Sequence, residues 1–173
     1  EFKRNKAKPE EIGEYISALS NSAALAGKAH AYMVWGIDND THDIVGTTFR
    51  HDSVKKGNEE LENWLLRLLS PRIHFRFLYF ETDSEPVVIL EIARASNKPV
   101  QFQGQEFIRV GSYKKRLKEF PEMERRLWRI FDRKPFEELS AVENVSDEEV
   151  IRLLDYPAYF DLLGLSLPEN RIG

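Results

Sequence analysis

Apolar residues return every three or four positions after Pro9. Ile12, Ile16 and Leu19 mark one face of a helix, with Ala18, Ala23 and Ala24 allowing close packing. Pro9 suits the first turn, Glu10 and Glu11 sit at the positive end of the dipole, and Gly27 ends the run. Residues 29–37 (AHAYMVWGI) are then continuously apolar and aromatic, which predicts a buried strand. DNDTHD at 38–43 is turn chemistry, and IVGTTF at 44–49 is placed to pair back as the second arm of a hairpin. Asn58 stands where it can cap a helix through EELENWLLRLL, stopped by Ser70 and Pro71. Residues 73–82 alternate, with Ile73, Phe75, Phe77 and Tyr79 on one face and His74, Arg76, Leu78 and Phe80 on the other. A turn at Asp83 and Ser84 leads to the next strand, 85–94, and PVQFQGQEFIRVG gives two short strands around Gly104. Pro121 opens the helix PEMERRLWRIF, which would turn Leu127, Trp128 and Phe131 inward and Arg125, Arg126 and Arg129 outward. Ser146 and Glu149 form a capping box ahead of VIRLLD, and Gly164 closes PAYFDLLG.

The order predicts an α+β fold: a mixed, largely antiparallel sheet with packed helices, followed by a helical C-terminal extension. The division is expected near 133–140, where RKPFEELS brings a proline and the charge changes sign, giving a body at 1–132 and a connecting segment at 133–173.

Length and composition narrow the class. The chain has 173 residues, 42% of them hydrophobic, enough to bury a core of its own. There is no cysteine, hence no disulfide framework and no thiolate metal site. No apolar run reaches membrane-spanning length, and the opening EFKRNKAKPEE is too charged for a signal peptide, so a cytoplasmic protein without a membrane partner is expected. The net charge of −4 conceals an asymmetry. Residues 136–173 hold nine acids against two bases, which leaves the preceding residues with twenty acids and twenty-three bases. A mildly basic body thus precedes an acidic segment.

Candidate chemistry lies in three places. WGIDND at 35–40 reads as an Asx-rich turn, or else as a strand end whose Asp38 and Asp40 offer oxygen ligands to a divalent cation. His30, His42, His51 and His74 show no metal-ligand spacing and read as structural or incidental. In EFIRVGSYKKRLKE, residues 106–119, a strand breaks at Gly111 and Ser112 and is followed by Lys114, Lys115, Arg116 and Lys118. Backbone N–H groups at such a corner, the Ser112 hydroxyl and the four cations could bind phosphates without reading bases; a strand end with a solvated charge run fits equally. No Walker motif or GxGxxG is present.

Taken together, EFKRN at the start, ISALSNS at 16–22, YMVWGIDND with IVGT after it, and ASNKPVQFQGQEFIRVGS at 95–112 resemble the AlbA-type domain of the Schlafen group over about residues 1–130. In bacteria and archaea this domain opens larger proteins described as transcriptional regulators or helicase-related. The resemblance implies nucleic-acid binding, DNA first, with Lys3, Arg109 and Ser112 joining the basic cluster, and the residues call for no cofactor beyond the Mg²⁺ or Mn²⁺ of the alternative below. It also implies an alternative, a metal-dependent endoribonuclease using three carboxylates. On this chain those are Glu1 and Asp38, with Asp40 as the alternative to Asp38, holding Mg²⁺ or Mn²⁺; the remaining acid would precede residue 1. A third reading, an oligomerisation scaffold, follows from the pairing habit of Alba-like folds, and a homodimer is expected because both faces of strand 73–80 carry apolar residues.

Overall fold

The computed structural model describes residues 1–5, 8–81, 85–132, 146, 149 and 156–167. The chain divides into two compact units, Glu1–Arg133 and Lys134–Gly173. In the second, the described residues include a helix, Tyr156–Leu163, and the reciprocal Ser146–Glu149 cap expected from sequence, with Ser146 N donating to Glu149 Oε2 (3.1 Å) and Glu149 N to Ser146 Oγ (3.4 Å). The predicted turn at 83–84, the linker at 133–140 and the helix at 150–155 lie outside the described residues.

The first unit is built on helix α1 (Pro9–Leu25), which is buried nearly all round because both of its sides carry small or apolar residues. One side meets a four-stranded sheet ordered β1–β2–β7–β6, formed by β1 (Phe2–Lys3), β2 (His30–Trp35), β6 (Phe75–Glu81) and β7 (Pro86–Ala93). Only the β1–β2 pair is parallel. The inner face of this sheet brings Met33, Trp35, Val88, Leu90 and Ile92 against the helix, each no more than 1% exposed. The other side of α1 meets an antiparallel sheet ordered β10–β9–β8–β5, formed by β5 (Leu69–Ser70), β8 (Gln101–Phe102), β9 (Gln105–Val110) and β10 (Tyr113–Arg116). Helices α2 (Leu61–Leu68) and α3 (Pro121–Phe131) also pack on α1, and a two-stranded ribbon, β3 (Lys55–Lys56) with β4 (Glu59–Glu60), precedes α2.

The observed fold is α+β, with largely antiparallel sheets and packed helices. Four local expectations are corrected. Trp128, expected to turn inward, is 41% exposed, because Leu127 is the buried residue of α3. Residues 44–49 form no second hairpin arm: both edges of β2 are taken, by β1 and β7, leaving a single bridge between Ile37 and Ile44. Phe49 instead tucks under the sheet, its ring 4.6 Å from Trp35 and 6.1 Å from Phe77 between centroids. Asn58 caps nothing, because Glu59 and Glu60 extend to pair with Lys56 and Lys55 and α2 starts only at Leu61. Strand β2 is buried on one face alone; Tyr32 on the other face is 47% exposed.

Three polar residues explain how a helix can sit against the second sheet. β9 pairs with β10 along one edge but with β8 only through Gln105 and Glu106. Beyond those residues the open edge of β9 faces α1, and side chains of the helix complete the ladder. Ser17 Oγ donates to Val100 O (2.7 Å) and accepts from Phe107 N (3.0 Å). Asn21 Nδ2 donates to Val100 O (3.0 Å) and Phe107 O (2.9 Å), and Asn21 Oδ1 accepts from Val100 N (2.8 Å). Ser22 Oγ accepts from Arg109 N (3.0 Å). The stretch ISALSNS thus does the work of a missing strand, satisfying backbone groups that burial would otherwise leave unpaired.

Candidate functional site

β1 and the end of β9 meet at the N-terminal half of α1. The alternation of β1 puts Lys3 on the inner face of its sheet, in register with Trp35, so its ammonium reaches Tyr15 and Glu11 on the helix. Glu1 is held at the same place, its carboxylate side chain 8% exposed. It takes three partners: the Arg109 guanidinium, Lys3 Nζ at 3.2 Å, and the Tyr15 hydroxyl, which donates to Oε1 at 3.0 Å. Arg109 also donates through Nε to Gly111 O (3.1 Å), which fixes its fork beside the turn. Burial pushes the Arg109 guanidinium below its ordinary pKa, yet it stays charged beside a carboxylate. Around this group lies a cleft of about 450 Å³, lined among others by Lys3, Asn5, Asn39, Arg109 and Ser112.

The turn at Gly111 and Ser112 is a tight hairpin rather than a strand end. Val110 pairs with Tyr113 across a two-residue loop, and Gly111 has φ +59°, a first-position geometry that a glycine adopts without strain. Residues 113–116 therefore form a strand, and strand alternation divides the basic run. Lys114, opposite Arg109, pairs with Glu14 and lies 4.6 Å from the centroid of Tyr15. Lys115 faces the other way, 5.9 Å from the Tyr113 ring. Arg116 and Lys118 line a shallow depression of about 210 Å³ with Gln101, Gly104, Gln105 and Glu106. Of the four cations, Lys115, Arg116 and Lys118 are exposed and make no ion pair with a described residue.

Asp38 has a different environment. Its Oδ1 accepts from Asp40 N and Thr41 N, both at 2.9 Å, and its Oδ2 pairs with Arg4 at 2.6 Å. The two backbone donors, helped by Arg4, hold its carboxyl down at about 2. Asp40 is exposed in the turn. β2 ends at Trp35, and the φ of +95° at the next residue, Gly36, with its proximity to Pro86 O (2.8 Å from an added Cβ), leaves no room for a side chain.

A hard cation at Glu1 or Asp38 would have to displace Arg109 and Lys3 from one carboxylate, or Arg4 and two amides from the other. No hydrogen bond or ion pair joins the two carboxylates, and among the described residues no group of three or more His, Asp or Glu is placed to hold a metal ion. As arranged, this donor set does not fit Mg²⁺ or Mn²⁺. Tyr15, Glu11 and Glu14, central to the electrostatics here, escaped the sequence reading. Their one signal is spacing: positions 11, 14 and 15 share a helix face next to the apolar stripe. His51, read from sequence as structural or incidental, has a structural place. Its Nε2 meets Glu62 Oε1 at 2.8 Å, its Nδ1 meets the Tyr79 hydroxyl, and its ring stacks on Phe77 at 4.4 Å, tying the loop after Phe49 to the edge strand β6.

This constellation, β1 parallel to β2, the Ser17–Asn21 ladder, and the hairpin turning at Gly111, falls wholly within a stretch matched by a family model. The chain belongs to the Schlafen AlbA_2 family, matched over residues 1–118. No curated protein matches it. Among solved structures, the DIP2311 protein from Corynebacterium diphtheriae is similar at 14% identity and a TM-score of 0.45, with 92% of this chain covered. The chain spans 27% of the length of that protein.

Proposed function

We propose that the chain is a nucleic-acid-binding module, DNA-binding in the first instance, of a transcriptional regulator. The observation that carries this reading is membership in the Schlafen AlbA_2 family over residues 1–118. The physical support is the free charge of the hairpin that closes the matched region: Lys115, Arg116 and Lys118 are exposed cations with no described counter-ion, whereas Lys114 is neutralised by Glu14. Such groups bind phosphates by releasing counterions and carry no sequence information themselves. The cleft beside Glu1, Arg109 and Ser112 would position the backbone through neutral donors rather than through net charge. Residues 1–132 would form the binding body and 133–173 the connection to a further region.

The test is a fluorescence-anisotropy titration of duplex DNA at several salt concentrations. The triple variant Lys115→Ala, Arg116→Ala, Lys118→Ala should bind more weakly and flatten the salt dependence by about 0.9 log units per lost contact. Lys114→Ala should leave the slope nearly unchanged. An identical slope for wild type and triple variant removes the hairpin from the interface; no binding by the wild type removes the reading.

A further inference from the structure

Helix α3 lies beyond the residues matched by the family model, and its surface has a composition that core packing does not explain. Leu127 is 0% exposed and pins one side of the helix to the body. On the opposite side Arg125, Trp128 and Arg129 follow at i, i+3 and i+4, which places them on one face, and all three are exposed. Trp128 is 41% exposed, and its ring meets Phe131 edge-on at 6.1 Å and 89°, so one edge is supported while the indole remains open to solvent. Glu122 is spaced for helix pairs with Arg125 and Arg126, but none of the three arginines makes an ion pair with a described residue. Elsewhere in the same unit Lys3, Arg4, Arg50, Lys56, Arg67, Arg76, Arg109 and Lys114 have carboxylate partners, while Lys28, Arg72, Arg94 and Lys98 are exposed without an ion pair to a described residue, so it is the exposed indole beside the arginines that sets α3 apart.

An exposed indole between two uncompensated guanidinium groups has the features of a stacking platform for unpaired bases: a π-face for the base and fixed cations for the flanking phosphates. A duplex would not use it in this way, since its bases are already stacked on one another. We propose that the Arg125–Trp128–Arg129 face of α3 is a second contact site, specific for single-stranded nucleic acid, where an unpaired base stacks on Trp128 and the arginines hold adjacent phosphates. The inference rests on the nucleic-acid reading above and adds strand selectivity to it. The hairpin supplies a contact indifferent to strandedness, and α3 supplies the contact that favours an open strand.

The experiment uses the full chain with a labelled oligo-dT strand and a duplex of equal length. Trp35 and Trp64 are 0% and 6% exposed, so quenching of intrinsic emission by oligo-dT reports on Trp128. Trp128→Ala should weaken single-strand binding about tenfold or more and leave duplex binding unchanged. Trp128→Phe should keep most of the affinity, because a phenyl ring still stacks. The pair Arg125→Ala and Arg129→Ala should lower the single-strand salt slope by about 0.7 log units per contact. Circular dichroism and the urea midpoint of each variant show whether it is folded. The inference is overturned if folded Trp128→Ala binds oligo-dT like the wild type, or loses strand and duplex equally. If the wild type binds neither probe, the nucleic-acid reading itself fails; if it binds both and only the α3 variants are silent, that reading stands and the α3 site alone is lost.

Discussion

Single polar side chains carry more of this molecule than its charged clusters do. Asn21 is 0% exposed and serves three backbone groups of Val100 and Phe107. Deleting its amide leaves Val100 N and Phe107 O buried and unpaired, at about 1–3 kcal/mol each before relaxation, while Val100 O keeps the Ser17 hydroxyl. Asn21→Ala should therefore lower stability by about 3 kcal/mol or more in urea unfolding, well beyond Ser22→Ala, which touches one amide at the half-buried edge. A loss under 1 kcal/mol would mean that water or a shifted strand replaces the ladder. Asp38 makes a pH-dependent contribution. Its folded pKa of about 2 lies below the ordinary aspartate value of 3.8, so its stabilisation is complete above pH 4 and is lost as pH falls through 2. Asp38→Ala should be less stable than wild type at pH 7, and the gap should close towards pH 2. A gap independent of pH would assign the effect to chain geometry instead of the carboxylate.

Among the elements, the first sheet is covered on one face only. Its outer face carries the row Phe2, Val34, Ile89 and Leu78, flanked by Val87 with Phe80 and by Tyr32, Glu91 and Arg76. Phe2, Tyr32 and Phe80 are 37%, 47% and 47% exposed, while Glu91 and Arg76 neutralise each other at 2.7 Å. An apolar face with no net charge suits a copy of itself better than a polyanion. The expected homodimer would thus form through this face, with the free edge of β6 beside it. Sedimentation equilibrium should show dimer at tens of micromolar for the wild type and monomer for Tyr32→Glu with Phe80→Glu, since both side chains are exposed and their loss spares the core. A wild type that stays monomeric at high micromolar concentration would sink this arrangement. The hairpin β9–β10 gives the complementary lesson. Four neighbouring basic letters become one half-buried pair, one outward lysine and two residues around a depression, because a strand sends Lys114 and Lys115 to opposite faces and ends at Arg116.

At the scale of the molecule, among the described residues every member of the buried apolar cluster lies within Glu1–Arg133. A fragment ending at Arg133 should keep the urea midpoint and cooperativity of the full chain; a midpoint lower by more than the error of the measurement would show that the acidic segment is part of the folding unit. No helix among the described residues is long and apolar enough to cross a membrane. Charge is also arranged at this scale. Three cations packed on α1 are neutralised by acids of that helix, Lys3 by Glu11, Lys56 by Glu10 and Lys114 by Glu14, while the exposed cations of the hairpin tip and of α3 make no ion pair with a described residue.

The chain by itself determined whatever depends on neighbours in sequence. Helix α1 follows from Pro9 and the Ile12–Ile16–Leu19 period, β6 and β7 from alternation, the turn after Asp38 from Asx chemistry, and the family from short motifs in fixed order. Tertiary structure decided what depends on which edges and faces are free. Residues 44–49 have a strand pattern, but β2 had no edge left, so they became a loop anchored by Phe49. Gly13 looks like a helix defect until the ring of Phe102 is seen 2.2 Å from where its Cβ would stand. Glu1 and Lys114 look like a metal ligand and a phosphate contact, yet the fold gives each an opposite charge at close range, from residues about a hundred positions away. Local pattern encodes periodicity and turns because those arise within a few residues. Pairing partners, burial and charge neutralisation arise between distant segments, and only their assembly sets them.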